Sequence, residues 1–199
     1  MFYVRNDRMS LLEQASIGGF YEYPWTHLVK GREDGGAKLL VLFNRGAHYE
    51  NDTVVLSALA TAFAFVEAVA PKALVLWRTT QHGHPTSTPQ LDEEFYAQPL
   101  APGQDMAPEE LAALPYAWGL FPAQSALTVE LARQHFPNVL VLDTAPLLGL
   151  RRDFHIDGLH YGIPGPLDVV LETLLHFLPD MLALQDSRAA ARAANATGG

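Results

Sequence analysis

The sequence predicts an α/β fold in which helices cover a mostly parallel sheet. Three continuous apolar runs predict buried strands, at Leu39–Phe43, Ala73–Trp77 and Val139–Leu142. Strands buried on both faces are apolar throughout, whereas strands with one solvated face alternate between apolar and polar residues. Segments with helical spacing separate and follow these runs, and this alternation favours right-handed crossovers between parallel strands. We therefore expect a three-layer α/β/α sandwich.

The helices of this prediction have recognisable starts. Apolar residues at helical spacing predict helices over Thr53–Ala70, Pro122–His135 and Pro166–Leu184. Asn51 or Asp52 is expected to cap the first of them, because a side-chain oxygen at this position accepts from the free amides of the first turn. Proline suits a first helical turn, since its missing N–H would have no partner there.

The other segments complete one domain. Phe2–Val4 predicts a weaker fourth strand, and residues 79–108, rich in Pro, Gln, Thr and Gly, predict a long surface loop over the site. We expect one domain over residues 1–185 and a disordered tail over 186–199, where an Ala-rich stretch ends in Asn-Ala-Thr-Gly-Gly.

Composition excludes several classes of partner and site. The 199 residues carry a formal net charge of −9, so neither nucleic acid nor anionic lipid is an expected partner. No cysteine is present, which excludes disulfides, thiolate nucleophiles and Cys-based zinc sites. The run Thr53–Ala70 contains Glu67 and stops at Pro71, short of the ~20 apolar residues of a membrane span, so it predicts a buried helix. The first residues lack the apolar run of a signal peptide, and no cofactor is expected.

Polar side chains follow each predicted strand. Ligands bind beyond the carboxyl ends of the strands in an open parallel sheet, so these side chains should share one rim. The first run is followed by Asn44, Arg45, Gly46 and His48, the second by Arg78, His82 and His84, and the third by Asp143 and residues 151–160.

The most informative segment is Asp157-Gly158-Leu159-His160. A carboxylate three residues before a histidine can accept from the ring Nδ1–H and leave Nε2 as a general base. The spacing alone also fits a surface Asp beside a helix-capping His. The turn-forming sequence after Tyr161, which opens the helix at Pro166, favours an acid–base pair held at the rim.

Asn44 and Arg78 each allow two interpretations. Asn44 directly follows a buried strand, where a side-chain amide either donates to an oxyanion or turns the chain. Arg78 either binds an anionic or hydroxyl-rich substrate or pairs with Asp143 or Asp157 as a structural cation.

A metal-dependent hydrolase is a further hypothesis. Its ligands would be His48, His82, His84 and Asp157, because His-x-His beside acidic residues is a possible metal-binding pattern. Exposed loop histidines explain the same pattern more simply, so no metal ligand is assigned.

Four blocks in this order resemble the PC-esterase group of SGNH/GDSL-like hydrolases, whose plant branch comprises the trichome-birefringence-like polysaccharide O-acetyltransferases. The blocks are Phe43-Asn44-Arg45-Gly46, Trp77-Arg78-Thr79 with His84, Arg152-Asp153-Phe154-His155, and Asp157-Gly158-Leu159-His160-Tyr161-Gly162-Ile163-Pro164-Gly165. The resemblance runs from about Phe2 to about Leu178. It implies the SGNH-hydrolase-like, flavodoxin-like strand order.

The resemblance also implies a chemistry and a set of site residues. Asp157 and His160 would be two members of a Ser-His-Asp triad, and Asn44 and Gly46 would help to form the oxyanion hole. A second group would bind substrate, namely Arg45, His48, Arg78 and His84. The expected reaction is acyl transfer through a serine ester, from an acetyl ester of a glycan or a similar hydroxyl-bearing substrate.

The chain departs from the family pattern in lacking the Gly-Asp-Ser block that carries the nucleophile on the first strand. We expect either a fragment that continues upstream or a natural protein without the serine, in which case it is an inactive glycan- or partner-binding remnant. Without that strand, the exposed sheet edge predicts self-association. The plant branch implies the secretory pathway or Golgi, whereas the missing cysteines and signal peptide fit the cytoplasm equally well.

Overall fold

The computed structural model has a parallel sheet at its centre. It describes residues 2–11, 21–32, 38–45, 50–81, 83–84, 107–155 and 158–197. The sheet contains β1 (Leu40–Asn44), β2 (Leu74–Arg78) and β3 (Val139–Leu142), in the order β1-β2-β3. Both strand pairs are parallel. The α/β class and the three predicted strands are confirmed, and the β1–β2 ladder extends to the polar pair Asn44 and Arg78.

Helices connect the strands. In the described residues they are α1 (Thr26–Val29), α2 (Asp52–Val69), α3 (Pro108–Ala113), α4 (Phe121–His135), α5 (Ala145–Leu148) and α6 (Pro166–Thr197), with 3-10 turns at Pro115–Leu120 and Arg152–Phe154. The three predicted helices correspond to α2, α4 and α6. Only the first part of the predicted loop after β2 falls within the described residues, since 82 and 85–106 lie outside them.

Helix α2 begins at the predicted cap and packs on the sheet. The Asn51 side chain accepts a hydrogen bond from Thr53 N at 2.9 Å. Leu59, Phe63 and Val66 are at most 1% exposed and join the core cluster that includes β1 and β2. Among the described helices, α2 alone is long and apolar enough to cross a membrane by length and composition.

The central strand β2 is covered on both faces. Val75 and Trp77 pack in the cluster that contains α2, while Leu74 and Leu76 pack with Leu174 of α6. All four strand residues are at most 6% exposed. A run of apolar residues without polar alternation, here Leu74–Trp77, is expected in such a position.

The outer edge of β1 borders an open groove. Leu40 and Leu42 are 37% and 46% exposed. A groove of about 520 Å³ lies between β1 and the segment Phe2–Val4. The prediction of a strand at Phe2–Val4 is wrong, because these residues belong to no strand in the described structure and Phe2 is 73% exposed.

The C-terminal helix is longer than predicted. The sequence predicts a tail from residue 186, whereas α6 continues to Thr197. Alanine has the highest helix propensity of all residues, so the Ala-rich stretch extends the helix. Gln185 donates to Ala73 O at 3.1 Å and Lys38 pairs with Asp186 at 2.5 Å, which ties this helix to the residues that precede the strands.

Candidate functional site

Asn44 and Arg78 form an interlocked pair at the carboxyl ends of β1 and β2. They are partners in the strand register. Arg78 Nη2 donates to Asn44 Oδ1 at 2.9 Å, and Asn44 Nδ2 donates to Arg78 O at 3.0 Å. A guanidinium has no acceptor, so it fixes the Asn44 carboxamide with its oxygen toward Arg78. The orientation of the predicted oxyanion donor is thus set by its neighbour.

Thr80 connects this pair to helix α4 and to Arg45, the residue that follows β1. Asn44 Nδ2 also donates to Thr80 Oγ1 at 3.3 Å, and the Thr80 hydroxyl donates to Arg45 O. Ser125 of α4 donates its hydroxyl to Thr80 O at 2.8 Å. These bonds hold the ends of β1 and β2 together, and they occupy the Ser125 hydroxyl inside the protein.

Arg45 is part of a buried ion cluster. Its side chain is 4% exposed and contacts the Glu50 carboxylate. Glu50 also accepts from Arg8 Nε at 3.2 Å, and Arg8 Nη1 donates to the buried Glu22 at 3.3 Å. Burial, and next the charge of Arg8, lower the pKa of Arg45 to about 10. Arg45 thus contributes to an ion cluster that joins the end of β1 to the N-terminal segment, and its expected role in substrate binding stays a prediction.

Thr79 links the end of β2 to the end of β3. Its hydroxyl donates to Asp143 Oδ1 at 2.9 Å and accepts from Ala145 N at 3.0 Å. Asp143 is therefore bonded to Thr79. The alternative in which Asp143 pairs with Arg78 is not what the structure shows.

The segment that follows the 3-10 turn Arg152–Phe154 closes into a small loop. His155 and Tyr161 form an antiparallel bridge, and Gly162 N donates to Phe154 O at 2.8 Å. The Tyr161 hydroxyl donates to Leu148 O in α5. The ring centroids of His155 and Tyr161 are 4.3 Å apart. Residues 158–161, which we call the histidine loop, are therefore anchored at their C-terminal end.

His84 anchors the other side of the histidine loop. His84 N donates to Gly158 O at 2.7 Å, and its ring meets that of His155 edge to face, with centroids 4.8 Å apart. A Cβ on Gly83 would lie 2.5 Å from the Trp118 ring and 2.8 Å from Gly158 O, so only glycine allows this close approach. His84 is fully buried. The ring of His84 is therefore enclosed beside the histidine loop, and its expected substrate contact stays a prediction.

Within the histidine loop, neighbouring side chains point to different surroundings. Leu159 is 7% exposed and packs with Trp118 and Phe121. His160, the predicted general base, is exposed. The buried leucine fixes the loop while the next side chain meets solvent, an arrangement that suits a group that must reach a ligand.

Tyr161 and Arg78 influence each other's ionisation. Burial raises the pKa of the Tyr161 phenol, and the positive charge of Arg78 opposes that rise. Burial lowers the pKa of Arg78, and Tyr161 partly opposes it. The hydrogen bond from His84 N to Gly158 O ties the histidine loop to the segment that follows β2, the strand that ends at Arg78.

The predicted site residues thus fall into three groups. Asn44, Arg78 and the histidine loop lie at one end of the sheet, while Arg45 and His84 are interior. Gly46, His48 and Asp157 lie outside the described residues, so the Asp157–His160 pair has no described geometry. His155 and Tyr161 lie at the site but were not predicted as site residues, although aromatic side chains flanking the Asp-x-x-His segment were a signal.

The described part of the chain contains no group of three or more metal-ligating side chains. Of the four ligands of the metal hypothesis, His84 alone is described. No protein family, curated protein or solved structure that was compared with the chain matches it.

Proposed function

We propose that the chain is the C-terminal part of an SGNH-type acyl esterase or O-acyltransferase, acting on an acetyl ester of a glycan or a similar hydroxyl-bearing substrate. The observation that carries the proposal is the anchored histidine loop, which exposes His160 and accepts a hydrogen bond from His84 N through Gly158 O, in the segment that follows Arg78 and its partner Asn44. His160 would act as general base, Asp157 would orient it, and Gly46 would help to stabilise the oxyanion. Asn44 would join Gly46 by exchanging the 3.3 Å bond from Nδ2 to Thr80 Oγ1 for one to the oxyanion, since both N–H groups of its amide have acceptors in the structure.

The 199 residues contain no Gly-Asp-Ser block to carry the serine of this mechanism, which would be supplied by sequence upstream. Its oxygen would attack the ester carbonyl carbon as its proton passes to His160 Nε2. The alcohol would then leave with that proton, and water or a sugar hydroxyl would cleave the acyl-serine bond. Water gives an esterase and a sugar hydroxyl gives an acyltransferase.

A finer architecture belongs to the same proposal. We infer a three-layer sandwich with SGNH-like strand order, in which one more strand pairs with the outer edge of β1. The groove of about 520 Å³ beside β1 supports this inference, since its lining is mostly apolar and ends at Asn44. A serine at the carboxyl end of such a strand would meet the oxyanion donor.

The test uses a longer protein, expressed from the gene with the coding sequence that precedes Met1 included. An in-frame Gly-Asp-Ser followed by hydrolysis of a chromogenic acetyl ester is the expected result. His160→Ala should lower kcat/KM by roughly a thousandfold or more, as loss of a triad member does. His135→Ala, which removes an exposed histidine from α4, is the matched control and should leave kcat/KM unchanged. Unchanged turnover in His160→Ala would refute the proposal.

A binding module is the second candidate, favoured by the absence of a Gly-Asp-Ser block. The buried Ser125 hydroxyl, bonded to Thr80 O, is a poor substitute for the nucleophile. This candidate predicts saturable binding of a glycan or partner without hydrolysis of simple esters, whatever sequence precedes Met1.

A further inference from the structure

Arg78 differs from Arg8, Arg45 and Arg151, three partly or fully buried cations that each contact a carboxylate. The cations that form ion pairs with carboxylates in the described residues are Arg5, Arg8, Lys38, Arg45 and Arg151. Arg78 pairs with no carboxylate in that part of the chain, although acidic residues outnumber basic ones by 22 to 13. A sheltered cation without a counter-anion is costly unless a ligand supplies the charge.

The guanidinium is only partly satisfied within the protein. Nη2 donates to Asn44 Oδ1, while the sheltered Nη1 has no hydrogen-bond partner among the described residues. Part of the Arg78 side chain is exposed, whereas Nη1 itself is enclosed, so a ligand would reach this donor after a small movement of the residues around it. Within the described residues, Arg78 therefore combines a charge without a counter-ion and a donor without an acceptor.

The neighbours of Arg78 within the described residues do not neutralise it. Asn44 is uncharged, and the Tyr161 hydroxyl donates its proton to Leu148 O. Burial raises the pKa of Tyr161, which keeps the phenol neutral. Asp143, the acid at the end of β3, accepts from Thr79.

We propose that Arg78 forms a carboxylate-binding site at the carboxyl end of β2. A planar carboxylate matches the guanidinium fork and accepts two hydrogen bonds from it. One part of this proposal rests on the proposed function. That part is the natural ligand, which would be the acid released when the ester is hydrolysed. Retention of that acid next to Asn44 would make it a competitive inhibitor of ester hydrolysis.

Acetate is the probe, and acetamide is its neutral isostere. Saturation-transfer NMR of the acetate methyl signal, at constant ionic strength, should show saturable binding to the wild-type chain. Arg78→Gln should weaken it by roughly tenfold or more, the effect of losing a charge-assisted hydrogen bond. Arg5→Gln, which removes an exposed arginine paired with Asp7, should bind acetate like the wild type.

Three results would refute a carboxylate-binding site at Arg78. In the first, the wild type and Arg78→Gln bind acetate equally, and in the second, acetamide binds as well as acetate. In the third, inorganic phosphate binds and acetate does not. No ester is involved in this experiment, so it separates the two proposals. If acetate binds at Arg78 but the protein hydrolyses no ester, the carboxylate-binding site is retained. Only the assignment of its natural ligand as a reaction product is then refuted.

Chemical modification tests the site even where Arg78→Gln fails to fold. Phenylglyoxal modifies accessible guanidinium groups, and peptide mass spectrometry of the wild-type protein assigns the modified residues. Acetate should slow modification of Arg78 and leave that of Arg5 unchanged, whereas acetamide should protect neither. Equal rates for Arg78 with and without acetate would refute the proposal.

Discussion

Strands β1 and β2 are nearly the same in sequence yet differ in their surroundings. Leu-Val-Leu-Phe-Asn pairs residue for residue with Leu-Val-Leu-Trp-Arg. Leu74 and Leu76 of β2 are at most 1% exposed, whereas their register partners Leu40 and Leu42 are 37% and 46% exposed. The contrast teaches that an apolar run predicts a strand, whereas its neighbours decide how much of it is buried.

The largest expected effect comes from the matched pair Leu76→Ala and Leu42→Ala. Leu76 lies between β1, β3 and α6, so its truncation leaves a cavity and should lower the free energy of unfolding by about 2–5 kcal/mol. Leu42 is half exposed, and its truncation should cost less than about 1 kcal/mol. Denaturant unfolding of both variants measures the difference. Equal losses would show that the edge of β1 is covered in solution.

A second prediction concerns the enclosed segment after β2. Gly83→Ala should lower the free energy of unfolding by about 1–3 kcal/mol, because the new methyl group meets the Trp118 ring and Gly158 O. Gly31→Ala is the control for backbone strain alone, since Gly31 has φ +70° and nothing within 4 Å of an added Cβ. It should cost about 1 kcal/mol. If Gly83→Ala costs no more than Gly31→Ala, the histidine loop is not held against this segment.

The smallest effect on stability is expected from Leu42→Lys. The substitution adds a charge to the exposed strand edge, so it should change the free energy of unfolding by no more than about 0.5 kcal/mol. The self-association predicted for this edge should weaken, because edge lysines oppose strand pairing between molecules. Sedimentation velocity of the wild type and the variant over a concentration series measures it. A wild type that stays monomeric would refute self-association through β1.

Much of the fold was predictable from the sequence. The three strands and the long helices follow from apolar runs and helical spacing, and the Asn51 cap was expected. The end of β1 was less predictable, because Asn44 is polar yet continues the ladder. The full length of α6 was missed for another reason. Its Ala-rich end has strong helix propensity but lacks the large apolar residues at helical spacing that indicate a packed helix.

The candidate site was predictable in position but not in detail. Polar residues after parallel strands indicated the rim, and Asn44 and Arg78 do meet there. The sequence offered no sign that His84 would be fully buried against the ring of His155. The two residues lie in segments far apart in the chain, and local patterns do not report such contacts. The bond between Thr79 and Asp143 was unforeseen for the same reason.

The cap of α2 has a consequence for biosynthesis. Asn51 is also the first residue of a glycosylation sequon, Asn51-Asp52-Thr53, and it is exposed. The cap uses the side-chain oxygen, whereas a sugar is attached through the side-chain nitrogen. An attached oligosaccharide would therefore leave the start of the helix intact, so passage through a glycosylating compartment is compatible with this fold.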